Sequence, residues 1–464
     1  MRYVSTRGAA PVLGFEEAML AGLARDGGLY LPETWPVLTR DEIAAFAGLP
    51  YEEVAFRVMR PFVGDAFTAE ELRGIIARAY AGFDHAARVP LAQVGPNDWV
   101  LELFHGPTLA FKDVAMQLIG ELFATSLAKS GRRITIVGAT SGDTGSAAIE
   151  AFRGKPGVDV YILYPHGRVS EVQRRQMTTP SEANVHALAI DGDFDTAQAR
   201  VKDMFNDHAF RDRVGLAGVN SINWARVLAQ AVYYFTAAVA LGAPGRKVSF
   251  AVPTGNFGDI FAGYVAKRMG LPIDRLVIAT NRNDILHRTV ETGAHRRGTV
   301  QPSISPSMDI QVSSNFERLL FEVYDREGAA VAGLMTELGQ GGFALSQGAL
   351  ARIRADFDSA AASEDETRAA IAAVHAATGR VICPHTAVGF HAACLRRGDP
   401  ATPMVVLATA HPAKFPDAVE AACGVRPALP PRMADLFERP ERVTRVPDDL
   451  AALEAVVAGA ERVA

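Results

Sequence analysis

Lys112 carries the strongest chemical signal in the chain. It follows Glu102-Leu103-Phe104-His105-Gly106-Pro107-Thr108-Leu109-Ala110-Phe111 and precedes Asp113. Phe111, Val114, Ala115, Leu118, Ile119, Leu122 and Phe123 recur at i, i+3, i+4, i+7, i+8, i+11 and i+12, which predicts one apolar face of a helix beginning at about Ala110. Lys112 then falls in the first turn, where free backbone N–H groups and the helix dipole favour an anion. Asp113 suits that turn and Lys112 does not. A cation set against the local field gives up its proton more readily, and a neutral lysine attacks aldehydes. The chemistry suggested is a Schiff base; the plain alternative is a solvated lysine at a fraying helix start.

Three other constellations could hold anions. Thr254-Gly255-Asn256-Phe257-Gly258-Asp259 joins an apolar run to a helical one, and its glycines let backbone N–H groups curl round a phosphate. It lacks the lysine and spacing of a Walker loop, and a tight turn without ligand is its bland reading. Thr140-Ser141-Gly142-Asp143-Thr144-Gly145 offers three hydroxyls at a helix start, enough to cradle a carboxylate or merely to cap the helix. Arg226 lies six residues after Asn220, so its guanidinium could fold back over the helix entry and hold a second anion with Ser221; such an arginine is usually a surface residue. Cys383, His385, His391 and Cys394 lie within twelve residues, but the spacing Cys383-Pro384-His385 does not match common zinc sites.

The elements around these residues alternate. Strands are expected at Trp99–Phe104, Ile134–Val137, Val158–Tyr164, Val185–Ile190, Val248–Val252, Leu276–Thr280 and Met404–Thr409, with a further one at Val214–Val219. Helices are expected at Thr196–Phe205, through Arg226 and Gln230, and at Ile260–Met269. Apolar strands alternating with helices indicate an α/β fold of parallel-rich sheets, in which ligands bind beyond the carboxyl ends of the strands. Each unusual turn sits at such an end. Residues 1–95 read as a mainly helical N-terminal domain with capping boxes at Thr39–Glu42 and Thr68–Glu71. Residues 96–245 read as a first α/β domain, 246–425 as a second, and 426–464 as a C-terminal extension of proline-rich wrap and a final helix from about Asp448. The stretch 329–378 reads as exposed helices.

At 464 residues and net charge −5, with basic residues scattered, the chain lacks the footprint of a nucleic-acid binder. No run approaches a membrane span and the start has no signal-like segment, so a cytoplasmic protein is expected, acting as a monomer or homodimer. Three cysteines are too few for a disulfide framework.

The stretch Glu102–Asp113 resembles the pyridoxal-phosphate attachment site of the serine/threonine dehydratase superfamily, in the form with His-Gly-Pro-Thr and Phe-Lys-Asp that is similar to threonine synthases. Ser313-Ser314-Asn315-Phe316-Glu317-Arg318, Thr409-Ala410-His411-Pro412-Ala413-Lys414-Phe415 and the Asp-Gly-Gly-Leu-Tyr-Leu-Pro stretch ending at Pro32 are also family-like, so the resemblance spans essentially the whole chain. It implies fold type II with two α/β domains. It further implies that Lys112 holds the cofactor aldehyde, that Gly255, Asn256, Phe257, Gly258 and Asp259 cradle its phosphate, and that Thr409 faces the pyridine nitrogen. Thr140, Ser141 and Thr144 would hold the substrate carboxylate, and Ser221 and Arg226 its phosphate. Asp143 stands where many relatives have asparagine beside the ring oxygen, where a second anion would be repelled unless one of the two is protonated, so the position would either adjust the acidity of the lysine linkage or point elsewhere.

The reaction implied is conversion of O-phospho-L-homoserine and water to L-threonine and phosphate. Phosphate leaves Cγ and water adds at Cβ, with the Lys112 amine moving protons. Another fold type II lyase, a phospho-lyase or a serine/threonine dehydratase, is the alternative; Arg226 and Ser221 argue against plain dehydratases. A non-enzymatic scaffold of the same fold would not need Lys112. His105 and Lys414 are further candidates for proton transfer.

Overall fold

The computed structural model describes residues 1–459. Two sheets organise the chain. The larger has six strands in the order Phe357–Ala361, Ile273–Thr280, Val248–Pro253, Met404–Ala408, Asp98–Glu102 and Leu91–Gln93. All its pairings are parallel except that between the last two strands. The smaller is wholly parallel, in the order Thr444–Val446, Val185–Ile190, Val158–Pro165, Ile134–Ala139 and Leu216–Ala217.

Strands covered on both faces need apolar side chains in both directions, and the central stretches of these strands supply them. In the larger sheet Ala251, Val277, Ala279 and Val406 pack with Val388 and Ala392 of the helix Pro384–Leu395. The alternate residues Phe250, Val252, Leu276, Ile278, Val405 and Leu407 join the main core with the helix Trp224–Ala240. In the smaller sheet Tyr161, Leu163, Leu188 and Ile190 pack with Ala197 and Met204 of the helix Phe194–Asn206 and with Leu453 and Val457 of the last helix, Leu450–Gly459.

Sheet membership does not follow the linear division at 245. The strand Asp98–Glu102, which lies in the 96–245 segment, pairs with Met404–Ala408 in the larger sheet, and Leu91–Gln93 of the N-terminal segment extends the same sheet. The C-terminal extension is more than a wrap: Thr444–Val446 adds an edge strand to the smaller sheet. Two further differences have local causes. Phe357–Ala361 is a strand in a stretch read as exposed helices, because its small residues Ser359, Ala360 and Ala361 carry no strand signal until they pair with Ile273–Thr280. The region Val214–Val219 supplies only the strand Leu216–Ala217, since the preceding helix His208–Val214 runs up to the left-handed Gly215.

The Lys112 helix spans Lys112–Ser130, two residues later than expected, and is buried on more than one face, including Ala115, Met116 and Gly120. It packs against the helices Ala69–Tyr80, Asp143–Phe152 and Trp224–Ala240, so it lies inside the protein and has no wide solvent face.

Candidate active site

The chain reaches Lys112 through a turn that is fixed at both ends. The Leu103 N–H donates to Ala408 O at 3.0 Å and the Phe111 N–H to Thr409 O at 2.8 Å, so the lysine is pinned beside the carboxyl end of Met404–Ala408. Asp113 closes the turn from within: its carboxylate accepts from the Thr108 N–H at 2.8 Å and the Thr108 hydroxyl at 2.6 Å. A Cβ on Gly106 would lie 2.4 Å from Asp113 Cβ, so only glycine lets the turn fold this tightly. Burial pushes Asp113 up to about 6.

Lys112 is 8 % exposed and opens onto a cavity of about 700 Å³, a size suited to a cofactor with a small substrate. Burial, with the nearby Lys414 and Arg226, pushes its ammonium below the ordinary lysine range, against the pull of Asp143. The cavity is also lined by Thr140, Ser141, Asp143, Thr144, Ser221, Arg226, Gly255, Asn256, Phe257, Gly258, Asp259 and Thr409. Every residue assigned to the cofactor or the substrate in the sequence therefore borders one cavity. His105 does not: its ring nitrogens engage Asp84 at 3.0 Å and Glu102 at 2.9 Å, which raise its pKa against the effect of burial.

The two polar loops differ in how they are built. In 140–145 the Thr140 oxygen accepts from the N–H groups of Gly142 and Gly145, both at 2.9 Å, so this hydroxyl first shapes the loop and has only its own proton to offer a ligand. Ser141 and Thr144 border the cavity with no side-chain hydrogen bond among the described residues. Gly142 sits at φ 137°, and a Cβ there would strike the Gln173 amide. Space left by that glycine lets Gln173 Nε2 donate to Asp143 Oδ1 at 2.9 Å.

In 254–259 the backbone turns at Phe257, whose φ of 63° is unusual for a residue with a Cβ, and the helix Gly258–Arg268 starts immediately after it. The N–H groups of that first turn have no intrahelical acceptor. Asp259 is the second residue of that helix, and its side chain is tied elsewhere. It turns inward to accept hydrogen bonds from the hydroxyls of Tyr233 and of Tyr234, the latter at 3.0 Å, and burial pushes it up to about 7. Its backbone N–H is left for a phosphate, while its Oδ2 is buried without a hydrogen-bond partner.

The family-like stretch 313–318 ties this loop in place. Ser313 Oγ donates to Gly255 O at 2.7 Å, and Asn315 Nδ2 donates to Asn256 O at 3.0 Å and Ser221 O at 3.1 Å. Arg318, with no exposure, donates to Ile222 O at 2.6 Å and to Tyr30 O, which gives the N-terminal strand Tyr30–Pro32 its role beneath the site.

Two features call for a ligand. Arg226 is 4 % exposed, donates to Val219 O at 3.2 Å and forms no ion pair among the described residues. Burial pushes it down to about 10, and such a charge needs an anion. The Thr409 hydroxyl oxygen is buried without a partner, as a group awaiting a ring nitrogen would be. A buried amine at Lys112, a first-turn phosphate cradle and a free hydroxyl at Thr409 together fit pyridoxal phosphate.

Sequence reasoning gave Gln173 no place at the site, named Lys414 only as a candidate for proton transfer and weighed His385 only as a zinc ligand. Lys414 has no exposure; its Nζ donates to Asp143 Oδ1 and to Thr108 O, each at 2.8 Å. The compensation that Asp143 requires thus comes from Lys414 as well as from Lys112, whose Nζ lies 3.5 Å from Oδ2. Burial alone would raise the Asp143 pKa, but these two ammoniums hold it well below the carboxylate range. His385 Nε2 accepts from the Ser307 N–H at 3.2 Å and burial lowers its pKa to about 4, so the ring is neutral. Cys383 caps its helix through Thr386, and among the described residues no three His, Cys, Asp or Glu side chains come together as a metal site.

Comparison with known proteins agrees with this geometry. Family profiles match residues 2–80 (Threonine synthase N terminus), 87–337 (Pyridoxal-phosphate dependent enzyme) and 386–457 (Threonine synthase, C-terminal). The chain is 55 % identical to a threonine synthase of Pseudomonas aeruginosa over 98 % of both chains. Its structure superposes on a PLP-bound threonine synthase from Brucella melitensis with a TM-score of 0.97 at 57 % identity, covering 100 % of each chain. It superposes on the yeast threonine synthase with a TM-score of 0.94 at 38 % identity, over 99 % of this chain and 98 % of the other. With the attachment lysine, the phosphate cradle and full-length similarity in agreement, this chain belongs to the threonine synthase family of pyridoxal-phosphate enzymes.

Proposed function

We propose that this chain converts O-phospho-L-homoserine and water to L-threonine and phosphate in the cytoplasm, as a monomer or homodimer. The observation that carries the choice of substrate is Arg226. A buried guanidinium without a carboxylate partner, opening with Ser221 onto the cavity that holds Lys112, is suited to a substrate bearing a second anion besides its carboxylate. A serine or threonine dehydratase has no use for that charge.

Bound pyridoxal phosphate supplies an electron sink for negative charge developing on the substrate carbons. The chain's own residues then divide the work. Backbone N–H groups of Asn256 to Asp259 would hold the cofactor phosphate, Thr409 would face the pyridine nitrogen, and Lys112 would hold the aldehyde until the substrate amine takes its place and frees its own. Ser141, Thr144 and the Thr140 proton hold the substrate carboxylate. Ser221 and Arg226 hold its phosphate, so both ends are fixed and Cα, Cβ and Cγ lie in register with the amine. Lys112, whose ammonium is disfavoured, collects and returns protons at Cα and Cβ. The test is product formation from O-phospho-L-homoserine by the purified protein with pyridoxal phosphate. Threonine and phosphate in equal amounts are expected; turnover of threonine or serine in preference to the phosphorylated substrate would replace this reading with the dehydratase one.

A further inference from the structure

Asp143 is placed unequally between two lysines. Lys414 approaches Oδ1 at 2.8 Å, and Lys112 stands 3.5 Å from Oδ2. Gln173 Nε2, 2.9 Å from Oδ1, fixes the carboxylate plane. Lys414 is fully enclosed and also bonds Thr108 O at 2.8 Å, so its ammonium has two short acceptors. Lys112 has only the long contact. We propose that Lys414 is a positioning residue for the attachment lysine: it neutralises Asp143, so that this carboxylate does not lock Lys112 as its ammonium.

The charges facing the pair support this from every side. Without Lys414, Asp143 and Lys112 would form a simple buried ion pair, the arrangement that most firmly keeps a lysine protonated. With Lys414 the cluster holds one ammonium too many, and the less well bonded one yields its proton. Arg226, from the helix Trp224–Ala240, adds positive charge near Lys112 and favours the same loss. Asp259, from Gly258–Arg268, is engaged by Tyr233 and Tyr234. His385, from Pro384–Leu395, is neutral, and Asp113 faces Lys414 from the Lys112 helix while bonding Thr108. A short ammonium–carboxylate pair is neutral overall, as one asparagine side chain is. The role of Asp143 is therefore inseparable from that of Lys414.

This inference takes its meaning from Lys112 as the attachment lysine, but its test uses no substrate, so its failure and failure of the proposed reaction are separate results. The full-length protein, freed of cofactor, is treated with an amine-reactive reagent across a pH series. Labelling of Lys112 is read by peptide mass spectrometry, with circular dichroism confirming the fold. Lys414→Met is expected to move the labelling midpoint to higher pH, with about tenfold slower labelling at a fixed pH below it. Asp143→Asn should move the midpoint the opposite way, and the double variant should return to within about threefold of the parent rate. An unmoved midpoint in Lys414→Met, or a double variant no closer to the parent than the singles, overturns the proposal. Should Lys414→Met fail to fold, Asp143→Asn decides alone: a midpoint unmoved or raised overturns it.

Discussion

Arg226→Met removes a guanidinium that is 4 % exposed, has one hydrogen bond to Val219 O and pairs with no carboxylate among the described residues. Burial pushes that group down to about 10. At about 1.4 kcal/mol for each of the roughly two to three pH units lost, holding it charged costs about 3 kcal/mol. A base with a depressed folded pKa carries the whole cost at every pH below that value, so the gain on removal should be flat from pH 6 to 9. Losing the bond to Val219 O returns about 1 kcal/mol, leaving a net gain of about 2 kcal/mol. An unfolding entropy near 2.1 cal/mol/K per residue gives about 1 kcal/mol per degree for a chain of this length, so Tm should rise by roughly 2 °C. The assay is a thermal melt of the cofactor-loaded protein with and without inorganic phosphate. Phosphate at ten times its Kd should add about 1.4 kcal/mol, or roughly 1 °C, to the parent and nothing to the variant, whose turnover should collapse. A variant that melts below the parent in phosphate-free buffer, or gains as much from phosphate, would refute the uncompensated-cation argument.

Other substitutions separate binding from architecture. Thr140→Val strips the acceptor from two buried N–H groups, so it should cost about 1–3 kcal/mol in a melt and raise KM, whereas Thr144→Val should raise KM with stability unchanged. Asp259 is raised to about 7, so the folded protein binds a proton that the unfolded chain has released between about pH 4 and 7. Stability should fall through that window, by roughly 4 kcal/mol at most, and Asp259→Asn should flatten the slope of Tm against pH. Thr409→Val should leave the cofactor-free melt unchanged, since its hydroxyl oxygen is unpartnered there, yet weaken cofactor retention about fivefold on dialysis. Lys112→Ala should abolish product formation and borohydride trapping of the cofactor while leaving non-covalent binding measurable by dialysis.

The site was legible in the sequence where local pattern and chemistry coincide. A lysine in a helix's first turn, a Gly-rich strand-to-helix turn and an arginine six residues past an Asn-Ser pair are local features, and the fold brings them to one cavity. Side-chain direction was not legible. Nothing local in Gly255–Asp259 says that Asp259 turns back to Tyr233 and Tyr234, because those tyrosines come from another helix. Gln173 was missed, and Lys414 was named only as a proton-transfer candidate, for the same reason: their meaning lies in Asp143, far away in sequence. The place of Lys414 in the family-like stretch Thr409–Phe415, just after a strand that ends in the site, was the available signal for it. Strand membership was equally non-local: Asp98–Glu102 reads as an apolar strand, but its place beside Met404–Ala408 depends on some three hundred residues of intervening chain.

The most direct test of the proposed reaction follows oxygen. When O-phospho-L-homoserine is turned over in ¹⁸O-water, elimination at Cγ followed by water addition at Cβ puts one heavy atom in the threonine hydroxyl. The released phosphate should carry none. Labelled phosphate with unlabelled homoserine would show hydrolysis at phosphorus, and 2-oxobutanoate in place of threonine would show elimination without hydration; either result contradicts the account.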